Sequence, residues 1–302
     1  MARSNALLAQ ARPFLKWAGG KAQLLDQIAA YLPKELTQGK IRRYVEPFVG
    51  GGAVFFHIAQ TYDIEEFVIL DINEELIGAY TTVRDNVRDL VTLLADMESS
   101  YLAMGQEERK DHYYAVRSKF NSRAREVGSV ERTAQLIFLN RTCYNGLFRV
   151  NAKGAFNVPF GTYKNPAFCF ADNLHAVSGI LQRADIRCGD FESSAGVVDK
   201  KTFVYFDPPY RPISRTALFN SYAKYDFDDS EQLRLAKFYR ALDTKGAKLM
   251  LSNSDPKNED PTDSFFDNAY QGFRIERLQA SRMINRDAAK RGKICELLVM
   301  NY

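Results

Sequence analysis

The sequence has little with which to staple itself or to span a membrane. Its four cysteines, Cys143, Cys169, Cys188 and Cys295, lie far apart with no Cys-x-x-Cys pair. A disulfide framework or a zinc knuckle is therefore not expected, and a reducing, cytoplasmic setting is. The three histidines, His57, His112 and His175, stand in unrelated contexts without ligand spacing, so no metal is expected. No apolar run approaches the ~20 residues needed to cross a bilayer, which argues against a membrane partner. Residues 1–13 carry Arg3 but only the short apolar pair Leu7-Leu8, a poor signal peptide. Solenoid repeats and long Pro/Ser/Gly linkers are also missing. Net charge is small, +4 over 302 residues.

What is present is ordinary globular composition, 46% hydrophobic and 26% charged, long enough for one large domain or two. The small net charge is unevenly spread. Residues 1–43 hold +6, the acid-free stretch 141–171 holds +4 and residues 280–293 hold +4, so the remainder is −10. Such segregation suits an anion bound along one face, although solvated surface charge would look the same.

Short apolar runs at Arg43–Glu46, Phe67–Leu70, Phe203–Phe206, Lys248–Leu251 and Cys295–Val299 read as strands, with helices between them. Asn73 can cap a helix running to about Asp85. Alternation of this kind indicates an α/β sheet covered on both faces. Residues 80–140 differ, being charged and helical in period, and the Gly/Asn-rich segment after them reads as a hairpin around Asn151–Gly154. We take 81–174 as an inserted subdomain, with 1–80 and 175–302 forming the α/β domain.

Glu46-Pro47-Phe48-Val49-Gly50-Gly51-Gly52 follows a strand and opens a helix, and its glycines let the backbone approach a ligand closely. Asp71, at the end of the next strand, can accept both hydroxyls of a ribose. Phe55 stands where a dinucleotide fingerprint needs its third glycine. Lys21 follows Gly19-Gly20 without the rest of a P-loop. Glu46 beside the turn repels a pyrophosphate but suits a cationic sulfonium, so S-adenosylmethionine fits best. A purely structural tight turn is the competing reading.

Asp207-Pro208-Pro209-Tyr210 ends another strand and faces the same crevice. The chemistry suits an exocyclic amine conjugated to a heteroaromatic ring, whose lone pair is delocalised. The Asp207 carboxylate and the Pro208 carbonyl can accept its two N–H bonds and localise that lone pair. Two prolines stiffen the loop, and Tyr210 can stack on a ring that has left its duplex.

At these residues the chain resembles the Dam/DpnII-type family of DNA adenine methyltransferases. Phe14-Leu15-Lys16-Trp17-Ala18-Gly19-Gly20-Lys21 is similar to the family's N-terminal cofactor block, with Trp17 and Lys21 at cofactor-contacting positions. Glu46, Pro47, Phe48, Gly50 and Gly52 match the methionine-side turn, Asp71 the ribose acid, Asp190 and Phe191 the pair around the cofactor adenine, and Asp207–Tyr210 the catalytic block. The resemblance implies an α/β, Rossmann-like, S-adenosylmethionine-dependent sheet carrying a helical, hairpin-bearing target-recognition subdomain. It implies methylation of adenine N6 in double-stranded DNA by a monomer, nucleoid-associated in a bacterial or phage setting, with room for a cognate restriction endonuclease in the same system. Direct displacement needs no metal, general base or covalent enzyme intermediate.

Each of these residues has a plainer reading: Trp17 as core, Lys21 as a solvated helix start, Asp71 and Asp190 as helix caps. Their joint spacing favours the functional one.

The basic stretch supplies candidate DNA contacts. Arg141 and other bases can position phosphates, while Arg149 can hold a guanine edge bidentately and Tyr144 can wedge into the gap left by a flipped base. Asn145–Arg149 and Asn157–Gly161 resemble the recognition segments of members that methylate GATC, which implies thymine contacts for Leu147 and Pro159 and a guanine contact for Lys16. Thr162 stands where some relatives carry a base. Residues 281–293 could line the DNA cleft. Three other readings stay open: cytosine N4 methylation, which more often has Ser before Pro-Pro-Tyr; a protein or RNA amine methyltransferase, which usually has Asn at position 207; and a DNA-binding regulator without catalysis.

Overall fold

The structure is a computed structural model and describes residues 10–122, 126–211, 227–281 and 293–302. Seven strands form one sheet in the order β3-β2-β1-β4-β5-β7-β6. They are β1 (Arg43–Glu46), β2 (Glu66–Asp71), β3 (Ala184–Cys188), β4 (Thr202–Phe206), β5 (Lys248–Ser254), β6 (Arg274–Ser281) and β7 (Lys293–Met300). β1 to β5 pair in parallel, whereas β7 runs antiparallel to both β5 and β6. The order reverses between β1 and β4, and open α/β sheets bind ligands at such a reversal, outside the carboxyl ends of the strands.

Alternation along the central strands divides the core in two. Tyr44, Phe67, Ile69, Phe203, Tyr205 and Met250 face one side, and Val45, Val68, Leu70, Val204, Phe206 and Leu249 face the other. Both faces are buried, as the continuous apolar runs require.

Ten helices are described. α1 (Leu25–Ala29) and α2 (Lys34–Thr37) precede the sheet, and α3 (Ala53–Thr61) follows β1. α4 (Glu74–Asp85) follows β2, then come α5 (Val87–Ala103), α6 (Gln106–Asn121), α7 (Val130–Thr142) and α8 (Ala171–Leu181). α9 (Asp229–Asp243) and α10 (Phe265–Ala269) complete the set. Asn73 caps α4 through its side chain, accepting from the amides of Glu75 and Leu76, and the helix ends at Asp85 as expected.

The helical part is not a detached body. Its buried residues, including Leu94, Tyr113, Phe138 and Phe156, continue the cluster on one sheet face. The boundaries drawn at 80/81 and 174/175 fall inside α4 and α8. The hairpin holds through single bridges rather than ladders: Val150 opposite Phe156, and Cys143 opposite Phe160. Asn151 closes its tip, with its amide donating to the Ala155 carbonyl at 2.9 Å. Two strands escaped the sequence reading. β3 and β6 both lie at sheet edges, and their sequences (ADIRC, RIERLQAS) place charge between apolar positions, so no hydrophobic run marks them.

Candidate active site

Three segments converge at the carboxyl ends of β1, β2 and β4. After β1 the chain turns through Gly50 (φ +47°) and Gly52 (φ +74°), conformations that side chains rarely adopt. Crowding excludes a side chain there as well. A Cβ on Gly50 would lie 3.0 Å from the Trp17 ring, and one on Gly52 would lie 2.5 Å from the Tyr80 hydroxyl. That hydroxyl donates to the Gly50 carbonyl at 3.0 Å.

Asp71 holds the turn from β2. Its two carboxylate oxygens accept from the Gly50 amide at 3.1 Å and the Asn73 amide at 2.9 Å. A carboxylate offers about four lone-pair sites, so capacity for two hydroxyl donors is left. Burial pushes its pKa up, against those amide hydrogen bonds.

Glu46 ends β1 and is buried, with the Tyr44 hydroxyl donating to it at 2.5 Å. Burial raises its pKa well above the ordinary 4.5, with the nearby Asp207 charge adding to the rise.

Asp207 follows β4. The buried ammonium of Lys21 donates to its Oδ1 at 2.6 Å, to the Tyr210 hydroxyl at 2.8 Å and to the Gly19 carbonyl at 3.0 Å. The Ser252 hydroxyl on β5 donates to the same Oδ1 at 3.1 Å and exchanges a hydrogen bond with Tyr205. Burial raises the Asp207 pKa, and Lys21 opposes the rise. From behind the loop, Gln232 of α9 donates to the Pro209 carbonyl at 2.9 Å and accepts from Asn253 at 3.3 Å. Both are fully buried. Beyond Tyr210, Arg211 is pinned by Asp229 and Asp263, each at 2.6 Å.

Other expected residues are already engaged. Asp190 caps the short helical segment Phe191–Val197 and forms a two-point pair with Arg234, whose hydrogen bonds hold its pKa down. Phe191 is buried among Phe48, Phe227 and Phe238. Trp17 is half-buried and stacks on Phe148 with ring centroids 5.2 Å apart, joining the N-terminal block to the hairpin.

The residues expected to meet DNA lie in the N-terminal block, at the end of α7 and in the hairpin after it. Tyr144 is the most exposed large apolar side chain described, at 57%. Asn145 is the one non-glycine residue with positive φ among the described residues (φ 57°). Lys16 is exposed, with its ammonium 5.3 Å from the Tyr163 ring. Pro159 is exposed and Leu147 half-buried. The Arg149 guanidinium donates to Asn157 at 2.7 Å. Arg141 instead turns to the Phe14 carbonyl at 2.7 Å and lies over the Phe170 ring. Residues 282–292, most of the basic tail, lie outside the described residues.

Sequence reasoning missed Asn140. It is fully buried in α7, accepts from the Lys16 amide at 2.8 Å, and donates to the carbonyls of Lys16 at 2.9 Å and Gly146 at 3.1 Å. It thereby fastens the N-terminal block to the loop that follows α7. Glu296 was also missed, although a lone acid inside the apolar run of β7 was a visible signal.

The family described as D12 class N6 adenine-specific DNA methyltransferase matches residues 17–284. The type II methyltransferase M.MjaIII of Methanocaldococcus jannaschii is 52% identical over 97% of this chain and 100% of that protein. The type II methyltransferase M1.LlaDCHI of Lactococcus lactis subsp. cremoris is 38% identical over 96% of this chain and 95% of that protein. The DNA adenine methylase of Haemophilus influenzae is 34% identical, over 96% and 93% respectively.

Proposed function

The chain belongs to the D12 class of N6 adenine-specific DNA methyltransferases, and from that premise we propose that it takes its methyl group from S-adenosylmethionine. The acceptor is the N6 amine of an adenine flipped out of double-stranded DNA, within GATC. The observation that carries this reading is the placement of Asp207, in its Asp-Pro-Pro-Tyr loop, across the sheet reversal from the Gly50–Gly52 turn.

The donor set fits such a cofactor. The carboxyls of Glu46, which is buried, and Asp207, which is partly buried, outnumber the one buried ammonium beside them, Lys21, a surplus that suits a sulfonium cation. Glu46 and the turn would hold the methionine end, Asp71 the ribose, and Asp190 with Phe191 the adenine, alongside Trp17. When bound, S-adenosylmethionine supplies an electrophilic methyl group.

The chain's own groups do the rest. Asp207 and the Pro208 carbonyl accept the two amine N–H bonds, which draws the nitrogen lone pair out of conjugation with the ring. Gln232 and Asn253 fix the loop that carries them. Tyr210 lies beside the acceptor to stack on the flipped ring, and the buried surroundings strengthen each electrostatic contact. After transfer Asp207 is the nearest base for the proton that the nitrogen sheds.

Residues 81–174 act as the target-recognition part, with Arg149, Leu147, Pro159 and Lys16 reading bases and Tyr144 filling the vacated stack. The protein acts as a monomer in the cytoplasm, and any cognate restriction endonuclease meets it only through the shared site. Among the described residues, no helix is long and apolar enough to cross a membrane.

Single-molecule sequencing of DNA from cells expressing the protein, beside an Asp207→Ala control, tests the reading. N6-methyladenine at GATC is expected only with the unaltered protein. Methyladenine in another motif overturns the specificity, and its absence overturns the reaction.

A further inference from the structure

Lys21 has three N–H donors, and all three are spent, on Asp207, Tyr210 and the Gly19 carbonyl. One more carboxyl faces the ammonium. Glu296, on β7, is 8% exposed, and its Oε2 lies 3.9 Å from the Lys21 Nζ without a hydrogen-bond partner. The antiparallel pairing puts Glu296 opposite Ser254, two residues beyond Ser252, so β7 brings it to the end of the sheet where Asp207 lies. The Tyr210 hydroxyl is the carboxyl's hydrogen-bond partner, which leaves Oε2 out of water and unpaired, an unfavourable state for a buried acceptor.

The arrangement of Asp207 exposes a conflict. Its Oδ1 already accepts from Lys21 and from Ser252. An acceptor neutralised by an ammonium at 2.6 Å draws weakly on a substrate N–H. Resting on the reading that Asp207 accepts the adenine amine, the geometry points to Glu296 as a positioning residue that receives the Lys21 ammonium when the amine takes its place on Asp207. Lys21 remains charged and buried throughout, shared between two carboxylates, and only the donor aimed at Asp207 needs to swing. No covalent bond changes in this step. Burial raises the Glu296 pKa, and Lys21 opposes the rise, so a closer ammonium favours the ionised form.

The test is a double-mutant cycle on the full chain, with single-turnover methyl transfer to a duplex carrying the target adenine and separate measurements of DNA and S-adenosylmethionine affinity. Glu296→Gln is expected to slow transfer by roughly 10- to 100-fold while leaving both affinities within a few-fold. Glu296→Asp, which restores the charge on a shorter side chain, is expected to recover part of the rate. In a Lys21→Gln background, Glu296→Gln is expected to cost nothing further, because the cation it receives is gone. A wild-type rate in Glu296→Gln, no recovery in Glu296→Asp, or losses that multiply in the pair would each overturn the proposal. Should Glu296→Gln alone not fold, the charge-balanced pair is compared with Lys21→Gln, and a further loss again overturns it. Failure of the unaltered protein to methylate adenine would instead refute the functional reading beneath it.

Discussion

Lys21 and Asp207 lie 186 residues apart in the chain, yet their side chains meet at 2.6 Å and tie the N-terminal block to the end of β4. In the proposed reading the pair joins a residue at the cofactor end of the site to the group that receives the substrate amine. Removing the carboxylate separates binding from chemistry. Asp207→Ala is expected to lower turnover by at least about 100-fold, the scale of losing one preorganised electrostatic partner. Duplex affinity, measured by anisotropy, should change by no more than a few-fold. Near-normal methylation by this variant would sink the mechanism.

The glycines separate strain from crowding. Gly19 has φ +78° with nothing within 4 Å of an added Cβ, whereas Gly52 combines φ +74° with a Tyr80 hydroxyl 2.5 Å away. Gly19→Ala should cost only the backbone part, about 1–3 kcal/mol. Gly52→Ala should cost distinctly more and displace the turn. Urea unfolding of the two variants reads the difference, and equal losses would mean that Tyr80 yields freely.

Glu46 gives the free protein a pH dependence whose sign is opposite to that of an ordinary ion-paired acid. Its native pKa is raised well above 4.5 by burial, so between the unfolded and native values the native state holds the extra proton. Stability from this group is therefore present at low pH and is lost as pH rises through that window. Glu46→Gln should flatten the dependence and melt higher at neutral pH. The same ionisation favours a bound cation, so S-adenosylmethionine affinity should rise with pH across the window in the unaltered protein alone. Calorimetry at several pH values checks both.

Asn140 ties Lys16 and Gly146 together with three hydrogen bonds. Asn140→Ala would leave buried backbone groups unpaired, at about 1–3 kcal/mol for each orphan. Its expected signature is a modest loss of melting temperature with a larger loss of discrimination between cognate and altered duplexes. Unchanged discrimination would show that the clamp has no part in reading the duplex.

The basic stretches imply a steep salt dependence. With about six phosphates neutralised, duplex affinity should fall roughly 10³-fold between 50 and 200 mM salt. A flat titration would mean that the three segments do not share one face.

Much of the fold was legible because its signals are local. The apolar runs of β1, β2, β4, β5 and β7 mark strands buried on both faces, and Asn73 caps α4 as its side chain allows. β3 and β6 were silent because an edge strand buries only part of its surface and keeps charge between apolar positions. In the site, the Gly50–Gly52 turn, Asp71 and Asp207–Tyr210 were legible for the same reason: a positive φ or a stiffened strand end is written in two to four adjacent residues. Asn140, Ser252 and Gln232 were not, since a polar residue inside a helix or strand looks alike whether it faces solvent or a distant carbonyl.

By itself, then, the sequence determined that the apolar runs of β1, β2, β4, β5 and β7 become strands, where the Gly-rich turn falls, and which strand ends carry carboxylates. Only the tertiary structure decided that the sheet reverses between β1 and β4, that Lys21 donates to Asp207, and that β7 delivers Glu296 beside them. The division has a physical cause. Backbone propensity and hydrophobic period act over a few residues, whereas strand order and side-chain partnership follow from burying both faces of one sheet at once, a condition on the whole chain.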